Sequence, residues 1–211
     1  LAAAPPVRIF VMGGGGGQRT VSGRLFHGGC WRDEQEWPLA CTRFSEYYLH
    51  RDGQLGPEKP KDDETSTTYR FDPSDPVPSI GGSVSSLSEL GDMPPGIADP
   101  AFVPRATRVH QIMEPGGFDQ VEGPQFWGCK APYLPLGSRR DVLVFQTEPL
   151  AQDVEVTGPV EVKLWVSSSA VDTDFTAKLI DLYPPSSWYP HGYALNLTDS
   201  IMRLRYRNGP E

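Results

Sequence analysis

Four histidines, three cysteines and several closely spaced carboxylates are the groups in this chain that could do chemistry. Their spacing assembles none of the common sites. A hydrolase serine sits in a Gly-x-Ser-x-Gly turn, and Gly81-Gly82-Ser83-Val84-Ser85 lacks the second glycine. There is no His-Glu-x-x-His, no Cys-x-x-Cys and no calcium-loop spacing. His27, His50, His110 and His191 fall in different loops or strand ends, where each reads as solvated or locally bonded. Asp172 and Asp174, in VDTDF, are the one pair to weigh as a carboxylate dyad or a calcium pair; at a strand turn they read as cap and turn residues. The pentaglycine Gly13–Gly17 follows a strand as a phosphate loop would. No Gly-Lys-Ser/Thr comes after it, so it reads as a loop insertion. Asn196-Leu197-Thr198 matches a glycosylation sequon, but it lies on a predicted strand and is discounted. Cys30, Cys41 and Cys129 are an odd number without ligand spacing, which points to a reducing, cytoplasmic setting, with a Cys30–Cys41 bridge as the alternative. No metal or cofactor is expected.

With no reactive constellation, the elements carry the argument. The chain has 211 residues, 22 glycines, 22 prolines and a formal charge of −8. That length suits one domain, and the Gly/Pro content suits many short strands joined by turns. The negative charge argues against a general nucleic-acid or anionic-membrane binder, and no apolar run is long enough to span a bilayer. The stretch Asp141–Asp181 reads as four consecutive strands, at Asp141–Thr147, Asp153–Thr157, Val160–Val166 and Phe175–Asp181. Period-two alternation puts Val160, Val162, Leu164 and Val166 on one buried face, beside Phe175, Ala177 and Leu179. Val7–Met12 and Thr67–Phe71 are short strands. Glu46–His50 and Gln54-Leu55 form a hairpin about Arg51-Asp52-Gly53. Asp72–Gly82, DPSDPVPSIGG, is a stiff crossover ending in a Gly-Gly bend. Residues 83–140 form a long irregular insertion whose aromatics argue for packing on something. Ala194–Leu197 and Ile201–Arg207 are strands separated by a turn at Thr198-Asp199-Ser200. Trp31 and Trp37 bracket a polar run and suit surface anchors or a sugar platform, with packing in the interior the commoner role of tryptophan.

The stretch EVTGPVEVKLWVSSSAVDTDFTAKLIDLYP, followed by LNLTDSIMRLRYR, resembles the C-terminal domain of the X-Pro dipeptidyl-peptidase and CocE/NonD acyl-esterase family. PVRIFVMG, WRDEQEWP, FDPSDPVPSIGG, GGFDQVEGP and RRDVLVFQTEPL resemble it in the same order. The resemblance implies an all-β, jelly-roll β-sandwich of galactose-binding-like type, filling residues 1–211 as a single C-terminal domain. It implies an upstream α/β-hydrolase domain on the same polypeptide that carries the serine, aspartate and histidine triad, so this chain alone is expected to be inactive. It also implies that the loop opening at Ser83, Val84, Ser85 and Ser86 reaches toward the substrate pocket. These residues are mostly small and polar, whereas the family places bulky apolar contacts there.

Three functions follow. The first is a pocket-completing accessory domain of a serine hydrolase, with Trp31, Trp37, Trp127 and Trp188 as domain-interface aromatics. The second is a carbohydrate-binding module using Trp31, Trp37, Trp188 and Tyr189. The third is a structural or dimerising sandwich. The family continues past the LRYR segment with further strands, so the sandwich is expected to lack its last strands here. Met202, Leu204 and Tyr206 should then lie on an open strand that another segment of the polypeptide, or a second copy, completes.

Overall fold

The computed structural model describes residues 5–21, 23–61, 65–82 and 116–209. Their regular structure is all-β: six strands and two short 3-10 turns, Leu136–Ser138 and Leu204–Tyr206. No helix among them is long and apolar enough to cross a membrane. The strands pair as three antiparallel two-stranded sheets, and the chain gathers into two compact units.

The first unit spans Leu1–Tyr69 and Leu143–Val162. β1 (Val7–Val11) pairs with β2 (Cys30–Glu34) in a register that sets Phe10 against Trp31 and Arg8 against Asp33. The alternation in β1 half-buries Val7, Ile9 and Val11 and leaves Arg8 and Phe10 outside. β2 is illegible as a strand in the sequence because its residues are mostly charged; it is held by what lies opposite and beside it. Arg8 and Asp33 pair at 3.4 Å. Arg32 makes a two-pronged bond to Glu155, at 3.1 and 2.9 Å. β3 (Tyr48–Leu49) and β4 (Leu55–Gly56) form the expected hairpin. Its turn is Asx-type: the Gln54 N–H donates to Asp52 Oδ1 at 3.0 Å, and Gly53 adopts a φ of +87°. Among the described residues, Leu25 and Leu39 are the buried apolar side chains of this unit.

The second unit spans Arg70–Val142 and Lys163–Glu211. Its spine is the hairpin of β5 (Asp174–Tyr183) and β6 (Tyr193–Arg203). Segment 118–122 lies along the free side of β6. The Gln120 N–H donates to the Ala194 carbonyl at 3.0 Å, and the Asn196 N–H donates to the Phe118 carbonyl at 3.2 Å. The Leu136 N–H in turn donates to the Gln120 carbonyl at 2.9 Å. Among the described residues, Ile80, Leu136, Tyr189, Tyr193 and Leu195 are its buried apolar side chains.

Several expectations need correction. Asp141–Thr147 contributes one isolated bridge, Gln146 to Gln54, and neither Asp153–Thr157 nor Val160–Val166 forms a strand. Val160, Val162, Leu164 and Val166 are between 41% and 55% exposed, and Trp165 is 94% exposed. Alternation specifies a face, but a strand exists only through a hydrogen-bonding neighbour. Here Glu155 is held through its side chain, and the boundary between the two units falls inside the alternating run, at Val162/Lys163. Thr67–Phe71 is not a strand either. The turn expected at Thr198-Asp199-Ser200 is instead continuous strand. Those residues face Leu179, Lys178 and Ala177, and Lys178 Nζ meets Asp199 Oδ2 at 2.9 Å. A cross-strand ion pair there outweighs local turn preference. β6 ends at Arg203, so Leu204 and Tyr206 sit in a 3-10 turn, with Met202 and Tyr206 exposed.

Candidate functional site

The Gly-Gly bend is the lower rim of a neck. Gly82 and Gly116 exchange both backbone hydrogen bonds, at 2.9 and 3.1 Å, and so close the base of residues 83–115. Glycine is required here by space as well as by dihedral angle. Gly81 has a φ of +66°, and a Cβ on it would stand 2.4 Å from the Gly116 carbonyl oxygen and 2.6 Å from the Phe118 ring. A Cβ on Gly117 would stand 2.7 Å from Leu195 Cδ1, and one on Gly82 would stand 2.9 Å from Asp199 Oδ2. The neck is therefore pressed onto β6, and its seat includes the carboxylate that Lys178 holds.

Below the bend, Gln120 is 6% exposed and Ile80 is fully buried. Gln120 Nε2 donates to the Ile80 carbonyl at 2.9 Å and to the Phe118 carbonyl at 3.1 Å. Next to it, Asp119 accepts the Ala194 N–H at 2.9 Å; burial raises its carboxyl above the usual range, against the lowering effect of that bond.

The crossover before the bend is fixed by polar contacts. Asp72 Oδ1 accepts from the Ser74 N–H at 2.9 Å and from the Ser74 hydroxyl at 2.7 Å. Asp75 takes Lys130 Nζ at 2.6 Å, and Arg139 reaches its backbone carbonyl at 2.7 Å. Arg139 also grips Asp141 with both prongs at 2.8 Å. Lys130 holds the Asp75 carboxyl below its usual range, and Arg139 does the same for Asp141.

The residues singled out for chemistry stand as follows. Asp172 and Asp174 are neither a dyad nor a calcium pair. Asp174 makes a two-pronged pair with Arg203 at 2.8 and 3.0 Å, and Asp172 pairs with Arg205 and accepts its N–H. The arginines lower both carboxyls. Among the described residues no cluster of three or more His, Cys, Asp or Glu could hold a metal. Cys30, Cys41 and Cys129 are free thiols, so the Cys30–Cys41 bridge does not form. Asn196 is 3% exposed, which excludes it as a glycan acceptor in this fold. His50 Nε2 lies 3.1 Å from the Glu58 carbonyl oxygen, and His27 lies edge-on to Phe10.

Ser83, Val84, Ser85 and Ser86 lie outside the described residues, as does His110. The tryptophans are not interior packing residues: Trp31 is 63% exposed, and Trp37, Trp127 and Trp188 are exposed as well. Trp31 stands edge-on to Phe10, with ring centroids 5.4 Å apart, and lies under the Arg8 guanidinium at 5.5 Å. Trp31 and Trp37 belong to the first unit, Trp127 and Trp188 to the second. Gln120 escaped the sequence reading because nothing in GGFDQVEG marks one glutamine as buried. The paired glycines at both ends of residues 83–115 were the available signal for the neck.

The family of X-Pro dipeptidyl-peptidase C-terminal non-catalytic domains matches residues 2–211. The chain belongs to this family. As a member it is a non-catalytic domain, in keeping with the ion-paired state of Asp172 and Asp174. It is also 36% identical, over 215 aligned residues, to a cocaine esterase from Rhodococcus sp. (strain MB1 Bresler). That alignment takes in 98% of this chain and 28% of the esterase, so the chain spans little over a quarter of that relative's length. No solved structure matches it.

Proposed function

We propose that this domain serves a longer serine hydrolase acting on esters or Xaa-Pro peptides, and that it presents residues 83–115 to that enzyme's substrate pocket. The observation that carries this reading is the closed glycine neck. Two backbone bonds tie Gly82 to Gly116, and Gly82 and Gly117 lie close against Asp199 and Leu195 of β6, which is the anchoring a pocket-forming loop needs. The similarity to an esterase over the whole chain supports the substrate class. The catalytic triad would lie in an α/β-hydrolase domain upstream, with Ser83, Val84, Ser85 and Ser86 opening the pocket loop.

Trp31, Trp37, Trp127 and Trp188 would meet that domain, and their exposure in the chain leaves them available for it. The same contact, or a second copy, would supply strand neighbours to the Val160–Val166 run, which forms no strand here, and complete a jelly-roll layering; the protein would work in the cytoplasm. Exposed tryptophans also suit the carbohydrate reading, but their division between two units gives no single platform to argue from.

The test is a loop exchange in the full-length polypeptide. Residues 83–115 are replaced by a short Gly-Ser turn, which the hydrogen-bonded Gly82/Gly116 pair can accept. The expected result is a fall of at least about tenfold in kcat/KM, of the order lost when substrate-positioning contacts go, with the melting temperature held. Unchanged kcat/KM would overturn the reading.

A further inference from the structure

β1 and β2 carry their largest apolar side chains on the face that meets water. An antiparallel sheet with one free face normally sets apolar residues inward and polar ones outward. Here the half-buried face holds Val7, Ile9 and Val11 beside Arg32 and Glu34, and Arg32 is tied to Glu155. The outer face holds Phe10 and Trp31, which the register sets opposite one another. Phe10 is 43% exposed and Trp31 is 63% exposed. Met12 continues the alternation past the end of β1 and is 41% exposed. We propose that this face, centred on Trp31, is the surface by which the domain docks on the hydrolase domain of the same polypeptide. The proposal rests on the accessory-domain reading above, but not on its pocket loop.

The face is built as an anchor. Phe10 stands edge-on to Trp31, with ring centroids 5.4 Å apart, and edge-on to His27 at 6.2 Å. The Arg8 guanidinium lies 5.5 Å from the Trp31 ring centre, and Arg8 pairs with Asp33 at 3.4 Å. Rings braced by their neighbours have little freedom left to lose on association, which lowers the cost of docking. Tryptophan, phenylalanine, methionine and arginine are also the types enriched where proteins meet.

Charge, stacking and tethering together name the occupant. Arg8 and Asp33 cancel, so the face is neutral on a chain whose formal charge is −8. It fits an apolar protein surface and offers no net charge to a nucleic acid or an anionic membrane. A stacking sugar needs a bare aromatic face, and Arg8 already lies over a face of Trp31. The chain aligns with 28% of its esterase relative, so most of that protein lies outside the aligned part. A C-terminal domain of this family thus has a larger body of the same polypeptide beside it. Tethering gives that body an effective concentration that a second copy lacks.

The experiment is hydroxyl-radical footprinting of the full-length polypeptide over a range of protein concentrations. Oxidation at Trp31 and Met12 is read by peptide mass spectrometry. Both should oxidise at least about fivefold more slowly than their exposure in the domain gives, at every concentration, as desolvated anchors do. Trp31→Ala should raise Met12 oxidation several-fold, whereas Trp31→Phe, which keeps a ring, should leave it slow. The wild-type footprint decides by itself if the alanine protein does not fold. Trp31 and Met12 oxidising at the rate set by their exposure would overturn the docking face. The accessory reading would survive that result if the loop exchange still lowered kcat/KM, so the two failures are distinct. Protection that appears only as protein concentration rises would overturn the occupant, since a second copy would then be the cover.

Discussion

Carboxylates decide most of what can be said at the scale of single residues. Asp172, Asp174, Asp75 and Asp141 each meet a lysine or arginine. A carboxylate held this way resists protonation and is a poor proton acceptor, which suits a non-catalytic domain. The four pairs differ in weight. Those of Asp172 and Asp174 are at least partly solvated and contribute little. Arg139 and Asp141 are the best shielded, with side chains 19% and 9% exposed. Replacing Asp141 by Asn should destabilise the second unit by about 1.5–3 kcal/mol at neutral pH, the range for a hydrogen bond to a charged group. The sign with pH follows from the direction of the shift. The folded Asp141 carboxyl titrates below its unfolded value, so its contribution is present above the ordinary carboxylate range and is lost as pH falls through the folded value. The wild-type protein and the Asp141→Asn variant should therefore differ in thermal melting at pH 7 and converge in acid. A constant difference down to about pH 2 would show that the pair acts through packing alone.

At the scale of elements, the sequence was most legible where local signals and long-range partners agree. Val7–Val11, the Asp52-Gly53 hairpin and Phe175–Asp181 carry both, and the structure forms them. It misled where a pattern lacked a neighbour. Val160–Val166 has the cleanest alternation in the chain and no ladder, whereas the charged Cys30–Glu34 is a strand because β1 lies beside it. The neck was half legible: the paired glycines announce a tight feature, but the bond from Gln120 Nε2 to the Ile80 carbonyl joins residues forty positions apart. Core assignment therefore shifts from the valine run to β6. Leu195 is 3% exposed and Leu164 is 43% exposed. Leu195→Ala should cost on the order of 2–5 kcal/mol, as buried leucines do, while Leu164→Ala should stay within about 0.5 kcal/mol in the 211-residue chain. Equal melting shifts for the two would mean that the alternating run is covered in solution.

The whole chain belongs to a family of non-catalytic domains; its described residues are all-β, hold no metal cluster, and bear a pinned neck and exposed tryptophans. A serine is an activated nucleophile only beside a base, and the histidines whose contacts are defined are engaged otherwise: His50 meets a backbone carbonyl and His27 meets a ring. The reading of this chain as the helper, with the reactive serine elsewhere on the polypeptide, is tested most directly by labelling. The full-length protein is treated with a fluorophosphonate probe, and the adduct is mapped by peptide mass spectrometry. The account predicts one stoichiometric adduct, on a serine outside these 211 residues, and none on any serine within them. A stoichiometric adduct on a serine between Leu1 and Glu211 would contradict it.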